Sequence, residues 1–580
     1  MTKRQADTET KMKRSLAVVL FTMGLGAFLF GHFAGSTVEA KRRLPMSAKI
    51  KEKADRGGTE MVDVIVSYRQ MPTVAERERT KSLGAKAKRE LKHLPMRAMR
   101  IPAKRLEALA ANPRVRFVTV DAPVEGMLAS AKQTAVFPEW GSAEFVSASS
   151  NIAVAVLDSG VGAHSDLVVN QRVDIIPAAT YCTVWGYYWC EQWETHYDPF
   201  GHGTHVAGIV GGMPNYWSNG PWGAAPGAPI VSVRVLDDSG RGNVSDVLAG
   251  LDWLIDNHES YNIRVVNMSL GKAVEEAAAD DPLVQAVEAL WDAGVVVVCS
   301  AGNYGRDGHY TITSPANSRK VITVGSLTDN GTGSDFSDDY LSTYSSMGPT
   351  LYDHVIKPDL VAPGNRVVAA ISDEALLKDL LPDRVYSYKY LELSGTSMAA
   401  PMVAAAAALM LSQEPALNPA TVKARLMRSA RDMPGNPVEV GTGVLDVSAA
   451  LAETGYVAAA PSPRLARSDE GEVILIEDTR ITWGGEEWGA AYMWSDGYMW
   501  SDSYMWSDAY MWSDAYMWSD AYLWSDAYFW SDTYMWSDAY LWSDAYFWSD
   551  SYMWSDTVEN VDPLMSLDAA GLDVSDDPQQ

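Results

Sequence analysis

The stretch Leu393–Leu411, LSGTSMAAPMVAAAAALML, sets Ser397 where a small polar turn meets a long alanine-rich helix. A serine there is either a helix N-cap or a nucleophile, placed where backbone N–H groups and the helix dipole favour developing negative charge. Nucleophilic use needs a base, a group to orient that base, and donors for an oxyanion, because a serine hydroxyl is too weakly acidic to attack an amide unaided. Other segments offer these parts. NIAVAVLDSGVGAHSDL ends an apolar strand at Asp158, and GHGTHVAGIVGG puts His202 where a glycine-flanked turn enters a helix. VVVVCSAGNYG offers Asn303 just beyond another strand. Singly these are a turn, a structural histidine and an asparagine in a left-handed turn. Together, in the order Asp, His, Ser and within an alternating strand and helix pattern, they are a strong signal of nucleophilic chemistry. Ser394 is the rival nucleophile, but it lacks the helix-start position.

The elements that must carry them alternate between Asn151 and about Leu451. Strand-like runs (IAVAVLD, PIVSVRVLD, IRVVNMSLG, GVVVVCSAGN, VITVGSL) are apolar on nearly every residue. Helical stretches (THVAGIVGG, VSDVLAGLDWLIDN, PLVQAVEALWDAG and the segment after Ser397) separate them. That pattern predicts a parallel sheet covered by helices on both faces, with reactive groups at the carboxyl ends of the strands. Upstream, VDVIVSY, a charged helix over about Val74–Leu91, MRAMRIP, AKRLEALAA and NPRVRFVTVD read as a small α+β domain.

On the blocks VAVLDSGV, HGTHVAG and GTSMAAP the sequence resembles the subtilase family of serine endopeptidases, over roughly residues 130–455. The resemblance implies a subtilisin-like α/β fold. It assigns Asp158 as the acid that orients the base, His202 as general base, Ser397 as nucleophile and Asn303 as oxyanion donor beside the Ser397 backbone N–H. It also implies that an extended peptide is held as an added strand, between SGRG (Ser239, Gly240 and Gly242) and SLG (Ser269, Leu270 and Gly271). His164 and His205 fall in the signature blocks and read as structural. LAANPRVRFVTVD and the small upstream domain resemble the family's inhibitory propeptide, with the cut expected between about Val124 and Lys132. One departure is the aromatic insertion TYCTVWGYYWCEQWETHYDPF between Asp158 and His202.

Charge divides the 580-residue chain. Residues 1–120 carry 26 Lys/Arg and 11 Asp/Glu, whereas the remainder carries 21 and 63, giving −27 overall. A basic front and an acidic body attract each other, which suits an intramolecular inhibitor; no basic stripe on the body suggests nucleic-acid binding. Lys11, Lys13 and Arg14 precede an apolar run from Leu16 to Phe30 and small residues up to Ala40, the pattern of an export signal, with an uncleaved anchor as the other reading. Cys182 and Cys190 can form a short loop disulfide in an exported protein, and Cys299 reads as a buried thiol.

From Tyr492 to Thr557 the unit Tyr-(Met/Leu/Phe)-Trp-Ser-Asp-x recurs eleven times. A period of six keeps faces constant in a strand but spirals on a helix, so a strand-rich stack or a disordered tail is expected. No Lys or Arg follows Arg480.

The expected organisation is a signal peptide (1–40), an inhibitory propeptide (41–127), a subtilisin-like peptidase domain (128–455), a linker (456–491), the hexapeptide repeat (492–557) and an acidic tail (558–580). The expected function is a secreted or cell-surface serine endopeptidase of broad specificity. It acts on polypeptides, is processed from its own zymogen, and needs no cofactor or metal. The alternative is a surface-binding or assembly protein in which the repeat is the functional part. A third reading, compatible with the peptidase, makes the repeat a targeting signal or a ligand for a cell surface or extracellular partner.

Overall fold

The computed structural model describes residues 44–127, 152–176, 180–183, 192–195, 197–214, 220–329, 336–467, 473–476 and 483. The expected signal peptide, the repeat, the acidic tail and Cys190 lie outside the described residues.

Residues 45–122 form a four-stranded antiparallel sheet. Its strands are β1 (Met61–Tyr68), β2 (Lys86–Glu90), β3 (Met96–Pro102) and β4 (Val115–Val120), in the order β2-β3-β1-β4. MVDVIVSY alternates only at its start, where Val62 and Val64 are buried on either side of the half-buried Asp63; from Val64 to Tyr68 every residue is buried. Helices at Ala48–Arg56, Val74–Ser82 and Leu106–Ala110 complete the α+β unit. The charged stretch read as one helix over Val74–Leu91 divides. Its helix stops at Ser82, Gly84 takes φ 84°, and Lys86–Glu90 is a strand paired with β3. A left-handed glycine ends a helix, and edge pairing then outweighs the helical preference of Lys, Arg and Glu.

A short strand, β5 (Pro123–Gly126), leads from this unit to the body. The body's main sheet comprises β6 (Ala153–Asp158), β7 (Val169–Asp174), β10 (Ile230–Arg234), β12 (Ile263–Met268), β14 (Val296–Ser300), β15 (Ile322–Thr328), β16 (Tyr340–Leu341) and β17 (Leu360–Pro363). The order is β16-β15-β14-β12-β6-β10-β7, with β17 also on β15, and every pairing is parallel except that of β16. β8 (Thr180–Thr183) and β9 (Gln192–Thr195) form a separate hairpin within the aromatic insertion. β11 (Arg241–Asn243) and β13 (Leu270–Gly271) lie apart from the main sheet, on either side of β5.

The apolar runs are fully buried, as expected of strands covered on both faces. Alanines let the helix Thr396–Gln413 pack closely on β12, β14 and β15, and it is buried from Thr396 to Leu411. The core also holds charge. Asp359 is fully buried between Lys357 Nζ at 2.6 Å and Lys423 Nζ at 3.2 Å. Burial pushes the Asp359 carboxyl up, but the two ammonium groups overcome it and hold the carboxyl low. Residues 457–465, within the stretch read as linker, lie against this body; Ser462 is buried and donates to Asp359 Oδ1 at 2.6 Å.

Candidate active site

Asp158 ends β6 at the carboxyl edge of the sheet, and His202 opens the helix His202–Gly211. Both are fully buried. Asp158 Oδ1 accepts from His202 Nδ1 at 2.7 Å and from the Ser159 N–H at 2.7 Å. Donation of Nδ1–H to a carboxylate fixes the tautomer of the neutral ring and leaves Nε2 to take a proton. Nε2 is buried and has no partner among the described residues. Gly203 permits the close approach of helix and strand, since a Cβ there would stand 2.0 Å from Gly160 O.

Ser397 lies in the first turn of its helix, fully buried, and its Oγ donates to Ser269 O at 3.1 Å. Asn303 follows β14. Its Oδ1 accepts from the Thr396 N–H at 3.0 Å and from Thr396 Oγ1 at 3.0 Å. This leaves Nδ2, buried and without a partner among the described residues. The Ser397 N–H sits in the first helical turn, where amides have no intrahelical acceptor. Asn303 is thereby tied to the residue next to Ser397, and an amide Nδ2 with a helix-start N–H are the donor types an oxyanion site uses.

One strand links the base to the nucleophile. β5 runs antiparallel between β11 and β13, with Val124 opposite Gly242 and Glu125 opposite both Arg241 and Gly271. The Gly126 N–H donates to Gly240 O at 3.2 Å, and the Met127 N–H donates to Ser269 O at 3.1 Å. A Cβ at Gly126 would stand 3.3 Å from His202 Nδ1. Ser269 O is also the acceptor of Ser397 Oγ. Adjacent residues of one peptide thus lie beside the imidazole and on the carbonyl that Ser397 shares.

Of the six residues expected to bind substrate, Gly240, Gly242, Ser269, Leu270 and Gly271 line this strand. Ser239 does not. Its N–H and Oγ both turn to Asp237 Oδ1, at 2.8 and 2.7 Å, closing the loop before β11. Asn243, paired with Pro123, completes β11 instead. Ser394 Oγ donates to Asn365 Oδ1 at 3.1 Å and accepts from the Arg366 N–H at 2.8 Å, a turn role. His205 Nε2 donates to the carbonyls of Val367 and Leu391 at 3.1 and 2.9 Å. Burial depresses that imidazole to about 3, so it is neutral and structural. His164 Nε2 likewise donates to Lys389 O at 3.1 Å. Cys299 is a free buried thiol, pushed up to about 12 by burial.

Two contributors were not singled out in the sequence. Asp198 is buried, and its carboxylate accepts from Ser159 Oγ (2.8 Å), the Gly201 N–H (2.8 Å), the Thr204 N–H (2.7 Å) and Thr204 Oγ1 (2.5 Å). Burial raises its pKa, and these donors oppose the rise. It ties the turn after Asp158 to the start of the His202 helix. A carboxylate four residues before a helix-opening histidine was the available signal, hidden at the end of the aromatic insertion. The other is Tyr304, whose hydroxyl donates to Glu125 Oε1 at 3.3 Å.

The body also grips residues 45–122. Lys49 pairs with Glu275 at 2.8 Å and Arg89 with Asp246 at 2.7 Å. Asp252 accepts the N–H groups of Lys92, His93 and Leu94 at 2.8, 2.6 and 3.2 Å. Thr119 Oγ1 donates to Glu276 Oε2 at 3.2 Å.

Residues 149–444 match a family model described as the subtilase family. Among curated proteins, serine protease AprX of Bacillus subtilis (strain 168) is 38% identical over 295 residues, 48% of this chain and 61% of AprX. Subtilisin DY of Bacillus licheniformis is 34% identical over 302 residues, 52% of this chain and 90% of its own. Subtilisin E of Bacillus subtilis (strain 168) is 30% identical over 399 residues, 67% of this chain and 89% of its own. Among solved structures, fervidolysin from Fervidobacterium pennivorans superposes with a TM-score of 0.52 at 22% identity, over 69% of this chain and 62% of fervidolysin, a likeness of fold. The matches thus span less than two thirds of AprX and of fervidolysin.

Proposed function

The chain belongs to the subtilase family, and from that premise we propose that it is an exported serine endopeptidase, made as a zymogen whose residues 41–127 fold onto the body and block its own cleft. In this reading Ser397 Oγ attacks the scissile carbonyl while His202 Nε2 takes its proton. The imidazolium, steadied by Asp158, then passes that proton to the leaving amine. Asn303 Nδ2 and the Ser397 N–H hold the tetrahedral oxygen. Water, deprotonated by His202, releases the acyl group and restores the serine.

The observation that carries the proposal is the path of residues 123–127. They form the central strand between β11 and β13 and end with Gly126 against His202 and Met127 on Ser269 O. That is the path of a peptide whose reacting carbonyl belongs to Met127, so the proposed self-cleavage breaks Met127–Leu128. The basic upstream unit paired to acidic groups of the body supports its retention as an inhibitor. Export is supported by the charged and apolar pattern of residues 1–40. The rival reading, with the repeat as the functional part, gains nothing from a body that keeps all four reacting groups.

The test is expression of the wild type beside Ser397→Ala, with intact-mass analysis and a casein assay. The wild type is expected to split after Met127 and digest casein, and the variant to stay whole and inert. Two uncut, inactive proteins would refute the reading.

A further inference from the structure

Residues 124–127, Val-Glu-Gly-Met, lie in the cleft, and each position meets different surroundings. We propose that the mature cleft selects peptides with methionine just before the scissile bond, glycine before that, and an acidic residue one earlier, which Tyr304 and Arg241 read. The inference rests on the function proposed above and specifies its substrate class.

Met127 is 3% exposed. Its Cε lies 2.9 Å from the point where a Cβ on Gly271 would stand, and Ser314 O and Thr313 Oγ1 flank the same point at 2.9 Å. The missing Gly271 side chain is therefore the floor that a long, unbranched thioether reaches. A β-branched residue crowds the neck of such a pocket and leaves its floor empty.

Gly126 carries the steric argument. A Cβ there would approach His202 Nδ1 to 3.3 Å and Cε1 to 3.4 Å. The ring cannot easily yield, because it is fully buried and held by Asp158 at 2.7 Å. A side chain at this position therefore needs the peptide to shift by a few tenths of an ångström from the base that must accept the proton.

Glu125 stands opposite Arg241 in the β5–β11 register without an ion pair between them, so Arg241 supplies nearby positive charge and not a direct contact. On its other side the Tyr304 hydroxyl donates to Oε1 at 3.3 Å. Partial burial, reinforced by Glu125 itself, pushes the Tyr304 phenol up to about 12 while that carboxylate is in place, so there it is a donor. Gln at this position keeps an acceptor for Tyr304 but loses the charge facing Arg241, and the Tyr304 bond weakens with it.

The experiment uses the mature enzyme released from the full chain and four aminocoumarin peptides: Val-Glu-Gly-Met, Val-Glu-Val-Met, Val-Gln-Gly-Met and Val-Glu-Gly-Val. Relative to the first, kcat/KM is expected to fall about tenfold or more for valine at either of the last two positions, and about threefold for Gln in place of Glu. Tyr304→Phe is expected to bring the Glu-to-Gln ratio toward one while the Gly-to-Val ratio at the next position persists. Valine cleaved within about twofold of glycine or of methionine, or a Glu-to-Gln ratio indifferent to Tyr304→Phe, overturns the proposal. A fluorophosphonate probe separates the two levels. Labelled Ser397 with flat peptide preferences removes this inference alone; an enzyme that neither labels nor cleaves any peptide removes the proposed function with it.

Discussion

Ser397 and Ser269 hold each other reciprocally. Ser397 Oγ donates to the Ser269 carbonyl at 3.1 Å, and Ser269 Oγ donates to the Ser397 carbonyl at 2.9 Å. The second bond exists because Pro401, four residues along the helix, has no N–H with which to cap that carbonyl. Asn267 Nδ2 donates to Ser269 Oγ at 2.9 Å and fixes its direction. A proline in the second turn thus frees a carbonyl at the nucleophile, and a side chain from the substrate-binding strand takes it up.

Ser269 is accordingly a positioning residue. Ser269→Ala keeps the carbonyl that binds peptide but releases the Ser397 backbone. A lost buried hydrogen bond of about 1–1.5 kcal/mol corresponds to about tenfold in kcat. We expect that loss with KM little changed and recovery in Ser269→Thr. Equal damage to kcat and to thermal stability, without recovery by Thr, would mean a packing role only.

Asn303→Leu removes the free Nδ2 and also the acceptor for both Thr396 donors. The expected fall in kcat is about 10²–10³, the loss known for such an oxyanion donor in subtilisin, at nearly constant KM. Circular dichroism and melting temperature distinguish this from misfolding, and Asn303→Asp, which restores the acceptor for Thr396 but not the donor, is expected to remain slow.

Asp359→Ala strands Lys357 and Lys423 in the core, each fully buried. Breaking a buried pair from one side costs about 3–5 kcal/mol, so denaturant unfolding is expected to show a loss of that order. Lys423 also donates to the carbonyls of Arg319 and Val321 at 3.0 and 3.2 Å, so Lys423→Met is expected to destabilise as well by orphaning these acceptors.

Glu276 makes the hold on residues 45–122 depend on pH. Burial raises its carboxyl to about 7; Lys272 opposes the rise, and Asp281 and Glu275 add to it. Thr119 faces it from β4. Once that cover lifts, solvent returns and the pKa falls toward the ordinary glutamate value. The covered state therefore binds more protons, so the cover is tightest at acid pH and loosens as pH rises through about 7. In Ser397→Ala, hydrogen exchange over residues 115–120 is expected to quicken from pH 6 to pH 8 beyond the intrinsic increase. Glu276→Gln is expected to abolish the excess.

How far the chain could be read in advance follows the locality of each signal. Asp158, His202, Asn303 and Ser397 each sit in a short block whose residues make the local turn, so sequence spacing exposes them. The parallel sheet was equally plain, because strands buried on both faces carry unbroken apolar runs. Asp198 was not, since its four donors come from two segments and its neighbours look like an aromatic insertion. Tyr304 gains meaning only when Glu125 is laid beside it, 179 residues away. Ser239 misled because a serine next to two glycines suits a binding strand, whereas Asp237 captures both of its donors. The strand at Lys86–Glu90 is set by pairing with β3, which a charged run does not announce.

The narrow gap between Gly126 and the imidazole bears on the chain's own last hundred residues. Each of the eleven hexapeptides sets a tyrosine directly before its Met, Leu or Phe. A pocket that welcomes methionine would otherwise find seven of them in its own polymer. If the preference proposed above holds, a tyrosine ahead of each one would bring its Cβ to the same 3.3 Å from the imidazole, so the repeats are expected to be cut more slowly than a Gly-Met peptide.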